Sequence, residues 1–222
     1  MAIPKKKIQQ IINVFETGIP AGKYDALVVF ADGRNGTRQI TFGRSQTTEQ
    51  GNLKTLINMY IARNGKFAGE FAPFVNQIGV VPLVDNAAFK LLLRKSARED
   101  AIMRVTQDHF FDILYYTPAL AFFTHLKLTL PLSLLAVYDS FIHSGGVPAF
   151  LRERFTALPP SRGGDEKTWI GEYVRVRHEW LATHPKQILR KTAYRTKCFL
   201  DQIKSDNWDL KQPVDANGVM VL

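Results

Sequence analysis

Residues 5–42 read KKKIQQIINVFETGIPAGKYDALVVFADGRNGTRQITF. Ile8, Ile11, Ile12 and Phe15 recur at three- and four-residue intervals, the spacing of one face of an α-helix. This predicts a helix over 5–17, with Pro4 in its first turn and Gly18 and Pro20 ending it. Glu16 then sits in the last turn, where the helix dipole disfavours a carboxylate by roughly half a kcal/mol. A residue held against a local preference is a candidate for chemistry. Residues 26–30 and 37–42 are β-rich, and Asp32-Gly33-Arg34-Asn35-Gly36 between them is a Gly/Asn turn, so the pair reads as a hairpin. Asp32 opens that turn, a position Asp also takes for turn geometry alone.

Beyond the hairpin the pattern becomes helical. Leu53, Leu56, Ile57, Tyr60 and Ile61 make one helical face, stopped at Asn64-Gly65. Residues 67–82 read as irregular or short helix, 86–93 as a short apolar helix, and 99–111 and 117–125 as further helices. Residues 132–142, LSLLAVYDSFI, are apolar nearly all round, as a central buried helix is. Helices over 168–182 and 188–203 follow, and the tail carries Trp208 and Asn217-Gly218. The expected fold class is mainly α (α+β), with one small N-terminal β element. No repeat or linker divides it, so 1–222 reads as a single domain: a helix and hairpin over 4–51, and a helical remainder over 52–222.

A chain of 222 residues, 45% hydrophobic, is long enough to bury a sizeable core and is not a disordered composition. Its single cysteine, Cys198, rules out an internal disulfide. It reads as a small buried residue, with no second ligand at zinc spacing. No run reaches the roughly 18 apolar residues of a membrane span, so no membrane insertion is expected. The N-terminal MAIPKKKIQQIINVF is amphipathic and reads as no secretory signal. Net charge is +9, which suits an anionic partner such as nucleic acid, a membrane surface or a bacterial cell wall.

Cleaving a glycosidic bond takes two carboxylates, one to protonate the leaving oxygen and one to attack or to activate water. A carboxylate at a helix end facing another on a hairpin supplies that pair, and Glu16 and Asp32 fit it. Helix-borne Glu16 followed by Asp32-Gly33-Arg34-Asn35-Gly36-Thr37 resembles the catalytic region of the family 46 chitosanases, whose hairpin reads Asp-Gly-Arg-Gly-aromatic-Thr. The resemblance continues in order through 101–119, Tyr138-Asp139-Ser140 with His143 and Gly145-Gly146, Gly163-Gly164-Asp165-Glu166 with Arg177, Thr192-Ala193-Tyr194-Arg195, and Trp208 with Leu210. It covers nearly the whole chain. The order of the motifs is more specific than any one of them.

The resemblance implies a lysozyme-like fold, with two helical lobes and the small N-terminal sheet flanking a substrate cleft. It implies an inverting glycoside hydrolase, with Glu16 as general acid, Asp32 as general base and Thr37 holding the attacking water. The acid must keep its proton, which a partly apolar setting favours. Inversion needs about 6.5–9.5 Å between the carboxyls to admit that water. Asp139, Arg177 and Arg195 are implied to form a buried ion-pair network behind Glu16. No metal or organic cofactor is needed.

The chain also departs from the family. Asn35 interrupts the Arg-Gly pair. In residues 41–51 the family is expected to carry an acidic residue for glucosamine ammonium groups, but Arg44 is cationic and only Glu49 can take that part. Arg34, Arg44 and Glu49 are the expected substrate contacts. Chitosan is polycationic, whereas peptidoglycan carries carboxylates. The charge of +9 therefore favours peptidoglycan lysis, with an antibacterial role, and keeps chitosan as the alternative. The enzyme would act on the cell wall or outside the cell, delivered by phage lysis or a secretion system.

Rival classes are a basic nucleic-acid-binding protein and a non-catalytic glycan-binding module. Arg175, Arg177, Lys186, Arg190, Lys191, Arg195 and Lys197 form a basic C-terminal region. Glu166, Glu172 and Glu179 interleave with it, and no nucleic-acid motif is present, so the partner expected is a polysaccharide and not nucleic acid. His109, His125 and His143 have no Ser or Cys at triad spacing. Oligomeric state is not legible.

Overall fold

The apolar face of the first helix, α1 (Lys5–Thr17), is the seed of one packed unit: Ile8, Ile11 and Ile12 are wholly buried and Phe15 nearly so. Gly18 ends α1 in the left-handed region (φ 78°) and donates its N–H to the Val14 carbonyl at 2.8 Å. A computed structural model describes residues 3–44 and 46–222. After α1 come β1 (Leu27–Phe30), β2 (Gln39–Phe42), β3 (Thr47–Thr48), α2 (Leu53–Ala62), α3 (Ala68–Phe71), α4 (Ala87–Glu99) and α5 (Ala101–Phe111). A π-helical stretch, Asp112–Tyr116, leads to α6 (Thr117–His125), α7 (Pro131–Ser144), α8 (Ala149–Arg152), α9 (Glu166–Ala182), α10 (Gln187–Arg190) and α11 (Ala193–Lys204), then β4 (Val214–Ala216) and β5 (Val219–Val221). None of the helices described is long and apolar enough to cross a membrane.

Two compact units result: Met1–Ala21 with Ile113–Leu222, and Gly22–Asp112. This corrects the subdivision at 51/52. The helix and the hairpin do not share a unit, because α1 buries its apolar face against α7, β4 and β5. In this first unit α7 is central. All residues from Pro131 to Ser140 are buried, and α1, α6, α9 and α11 pack around it. The α7 helix stops at Gly145 (φ 71°), where Gly146 N–H reaches back to the Ser140 carbonyl at 3.2 Å. The tail forms a hairpin unforeseen from sequence. Asn217 (φ 57°) and Gly218 (φ 83°) supply the two left-handed residues of its two-residue turn, and Val214, Ala216 and Val221 are buried.

The second unit joins an antiparallel sheet, ordered β1-β2-β3, to helices α2 to α5. The hairpin expected over 26–42 is present, with Leu27 opposite Phe42 and Phe30 opposite Gln39. The third strand and the extension of α4 to Glu99 are additions. One long helical run is broken at Asp100, which ends α4 and caps α5 by accepting from Ile102 N–H at 2.9 Å. Its other oxygen accepts from Tyr60 Oη–H at 2.6 Å and Lys66 N–H at 2.8 Å, and Tyr60 Oη accepts from Phe67 N–H at 2.9 Å. Burial and the bond to Asp100 push the Tyr60 phenol well above its ordinary range. Replacing Tyr60 with Phe strands the buried Phe67 N–H and one lone pair of Asp100. Urea unfolding should show a loss of about 1–3 kcal/mol; an unchanged midpoint would show that this junction is not what fixes the turn between α4 and α5.

Candidate active site

Glu16 lies in the last turn of α1, its side chain 12% exposed, and Arg195 Nη1 on α11 reaches its Oε1 at 2.8 Å. The same guanidinium donates through Nε to Asp139 Oδ1 at 2.7 Å, and Arg177 Nη1 on α9 donates to Asp139 Oδ2, also at 2.7 Å. Asp139 is 0% exposed and Arg177 1%. Two cations and two carboxylates thus alternate across four helices. The Arg195 guanidinium also lies over the Phe15 ring at 5.0 Å, and Tyr194 Oη–H donates to the Phe15 carbonyl. Burial by itself would raise Asp139, but the charges of Arg195 and Arg177 outweigh it and hold the carboxyl below its usual range. Beside this cluster, burial and the nearby Arg177 charge lower His143 to about 4.

In the second unit Asp32 and Thr37 are exposed on the β1–β2 connection. Gln39 Nε2–H donates to Asp32 Oδ1 at 2.9 Å, and Gln39 Oε1 accepts from Gln50 N–H at 3.1 Å. Gln50 Oε1 accepts from Arg34 N–H at 2.7 Å, and its Nε2–H donates to Thr37 Oγ1 at 2.9 Å. Thr37 in turn donates its hydroxyl to the Arg34 carbonyl at 2.8 Å. The turn closes through Gly33 N–H to the Thr37 carbonyl. A Cβ at residue 33 would lie 2.8 Å from the Thr37 carbonyl oxygen, and 2.6 Å from Gln50 Nε2 and 2.7 Å from Thr37 Oγ1, so any larger residue there displaces the ring. Asn35 takes the left-handed conformation (φ 57°), which asparagine tolerates better than most residues. Arg34, Asn35, Thr37 and Gln50 border a cavity of about 270 Å³ with Val80 and Val81.

Two expected substrate contacts are engaged elsewhere. Arg44 is 3% exposed, paired with Asp108 and laid over the Phe111 ring at 4.8 Å. Glu49, also 3% exposed, accepts from Ile40 N–H at 3.1 Å and Leu83 N–H at 2.6 Å, tying β2 to the chain at 83. Both answer buried donors and charges within the second unit rather than solvent. The side chain of Arg34, in contrast, is exposed beside Thr37. Gln39 and Gln50 escaped the sequence reading. Their only signal was a position two residues after Thr37 and one beside Glu49, in a polar stretch without period.

The basic C-terminal region is not one cationic face. Arg177 and Arg195 are buried, Arg175 is shared by Glu172 and Glu179, and Lys197 pairs with Asp201. Cys198 is buried, and that burial raises its thiol to about 12. Among the described residues no group of three or more His, Cys, Asp and Glu is placed to hold a metal.

Comparison with known proteins agrees with this architecture. The family model for glycosyl hydrolase family 46 matches residues 10–214. A chitosanase of Bacillus subtilis (strain 168) is 26% identical, over 96% of this chain and 82% of its own. The family 46 chitosanase of Gynuella sunshinyii, solved with chitotetraose, superposes with a TM-score of 0.80 at 25% identity, covering 99% of this chain and 97% of that one. The native chitosanase of Bacillus subtilis MY002 shares the fold at 21% identity, with a TM-score of 0.80 and full coverage of both chains. A mainly helical, lysozyme-like fold with a small antiparallel sheet is thus that of a glycoside hydrolase. The chain belongs to glycosyl hydrolase family 46.

Asp139→Asn leaves two buried guanidinium groups short of a counter-charge, and equilibrium unfolding should show a loss of about 3–5 kcal/mol. His143 supplies a separate pH dependence. Its folded value of about 4 lies below the ordinary 6.5, so the unfolded chain binds the extra proton between those limits. The stability it contributes is complete above about pH 6.5 and is lost as pH falls towards 4. Thermal melts of wild type and His143→Gln across that range should show a shallower decline in the variant; parallel curves would remove His143 as the cause.

Proposed function

We propose that this enzyme is an inverting endo-hydrolase of chitosan, with Glu16 as general acid and Asp32 as general base. The observation that carries the reading is that both positions implied by the family resemblance hold carboxylates, each fixed by its own partners: Glu16 by Arg195, Asp32 by Gln39. Glu16 gives its proton to the leaving glycosidic oxygen as the C1–O bond breaks. A water held by Thr37 attacks C1 from the other face, its oxygen bonding to carbon and its proton passing to Asp32. The carboxyls then exchange protons with solvent and the cycle restarts. Arg34, exposed beside Thr37, is the retained candidate for substrate contact.

The relatives named above are chitosanases, and they move the reading away from the peptidoglycan favoured by net charge. The cell-wall and antibacterial role has no support among them. An endo-acting enzyme meets so long a polymer outside the cell, so action there goes with this reading.

The test is reducing-end release from chitosan and from purified peptidoglycan, side by side. Wild type should cleave chitosan, and Glu16→Gln and Asp32→Asn should each lower kcat by about 10²- to 10⁴-fold. The first product detected by NMR should be the α-anomer. Cleavage of peptidoglycan alone would return the substrate to the cell wall, and activity on neither polymer would sink the hydrolytic roles of both carboxylates.

A further inference from the structure

Each glutamine beside the proposed base is locked in one orientation by a backbone N–H. Gln39 Oε1 accepts from Gln50 N–H, so the amide nitrogen of Gln39 must face Asp32. Gln50 Oε1 accepts from Arg34 N–H, so its amide nitrogen must face Thr37. A backbone N–H can only donate, so neither side-chain amide can be flipped without placing two donors nose to nose.

The consequence reaches Thr37. Its hydroxyl proton goes to the Arg34 carbonyl, which can only accept, and one of its lone pairs is taken by Gln50. What remains is a single lone pair, so Thr37 can meet a further molecule only as an acceptor. A water about to attack carbon must keep a lone pair for the new bond and give both hydrogens to acceptors. Asp32 is one such acceptor, and Thr37, made an acceptor by Gln50 and Arg34, is the other. Gln39 meanwhile takes one lone pair of Asp32 Oδ1, and among the described residues Oδ2 has no protein partner.

We propose that Gln39 and Gln50 are positioning residues for the hydrolytic step: Gln39 assigns proton uptake to Oδ2 of Asp32, and Gln50 fixes Thr37 as the second acceptor of the attacking water. This rests on the general-base reading of Asp32. The two amides act through Asp32 and Thr37.

Gln39→Met and Gln50→Leu keep side-chain length or bulk and remove the amide. Each should lower kcat on chitosan by about 10- to 100-fold with KM little changed, the size expected when a reacting group is misplaced by about an ångström. Double-mutant cycles separate positioning from general support of the fold. Gln39→Met should cost nothing further in an Asp32→Asn background, and Gln50→Leu nothing further in a Thr37→Val background. A purely structural role would lower activity in both backgrounds alike and would overturn the inference. Thermal midpoints follow folding. If the buried Gln39 does not tolerate Met, the half-buried Gln50 decides through its own cycle. Wild-type kcat in both glutamine variants, with Asp32→Asn inactive, overturns this inference alone. Wild-type kcat in Asp32→Asn overturns it together with the general-base reading.

Discussion

Asp139 is the residue on which the rest of the first unit depends. It is a wholly buried carboxylate on the central helix, and it takes Arg177 from α9 on one oxygen and Arg195 from α11 on the other. Burying so many charges offers little net stability, because desolvation consumes most of the attraction. What it does offer is discrimination. A helix that slips by one residue carries a guanidinium away from the buried carboxylate that neutralises it, whereas a slipped leucine usually finds another apolar neighbour. Among the described residues Nε and Nη2 of Arg177 have no hydrogen-bond partner, so that side chain is held by Asp139 through Nη1. The same Arg195 continues to Glu16, and the position of the proposed acid therefore follows from how α7, α9 and α11 pack.

The two proposed catalytic carboxylates are held by different physics. Glu16 is part-buried and tied by a charge, on a helix whose apolar face is fully committed to the core. Asp32 is exposed on a short connection and tied by a neutral amide. A guanidinium is a strong, lasting partner for a carboxylate. An amide is a weaker one, and it leaves the second oxygen available. For a base that must offer an oxygen to the attacking water, a partner that leaves the second oxygen open is the suitable kind. The ring through Gly33, Arg34, Thr37, Gln39 and Gln50 gives this exposed turn the order that burial gives Glu16.

Where the chain has a repeating environment, its sequence was legible. Ile8, Ile11, Ile12 and Phe15 predict α1 to its last residue, and the all-round apolar run at 132–142 predicts the central helix, because burial on one face or on all faces writes a period into the chain. The lysozyme-like fold came from motif order, and the roles proposed for Glu16 and Asp32 rest on the same resemblance. Features with no period were missed. The short strand β3 has only two residues, and the C-terminal hairpin needed the Asn217-Gly218 signal to be weighed as a turn between strands instead of a tail. The helix expected over 188–203 is two helices parted at 191–192, where the Thr192 hydroxyl donates to the Leu189 carbonyl. Glu49 and Arg44 lie in a polar stretch that reads as solvated loop, yet each is buried with a partner distant in the chain, Leu83 N–H for Glu49 and Asp108 for Arg44. Gln39 and Gln50 were hidden although their partners are only 7 to 16 residues away. Nothing in a lone glutamine says which backbone amide will orient it.

Net charge is a weak guide to the substrate for a related reason. A sum over the sequence counts Arg44, Arg177 and Arg195 as surface cations, but all three are buried against carboxylates and project little field into solvent. Arg175 and Lys197 stay at the surface but share their charge with glutamate and aspartate neighbours one helical turn away. The remaining excess acts over about 8–10 Å at physiological salt, so a substrate feels the groups lining its own path far more than the total. Repulsion between this protein and a polycation is therefore a local question. A formal +9 does not exclude chitosan, and the identity of the polymer has to be read from the residues beside Asp32 and Thr37.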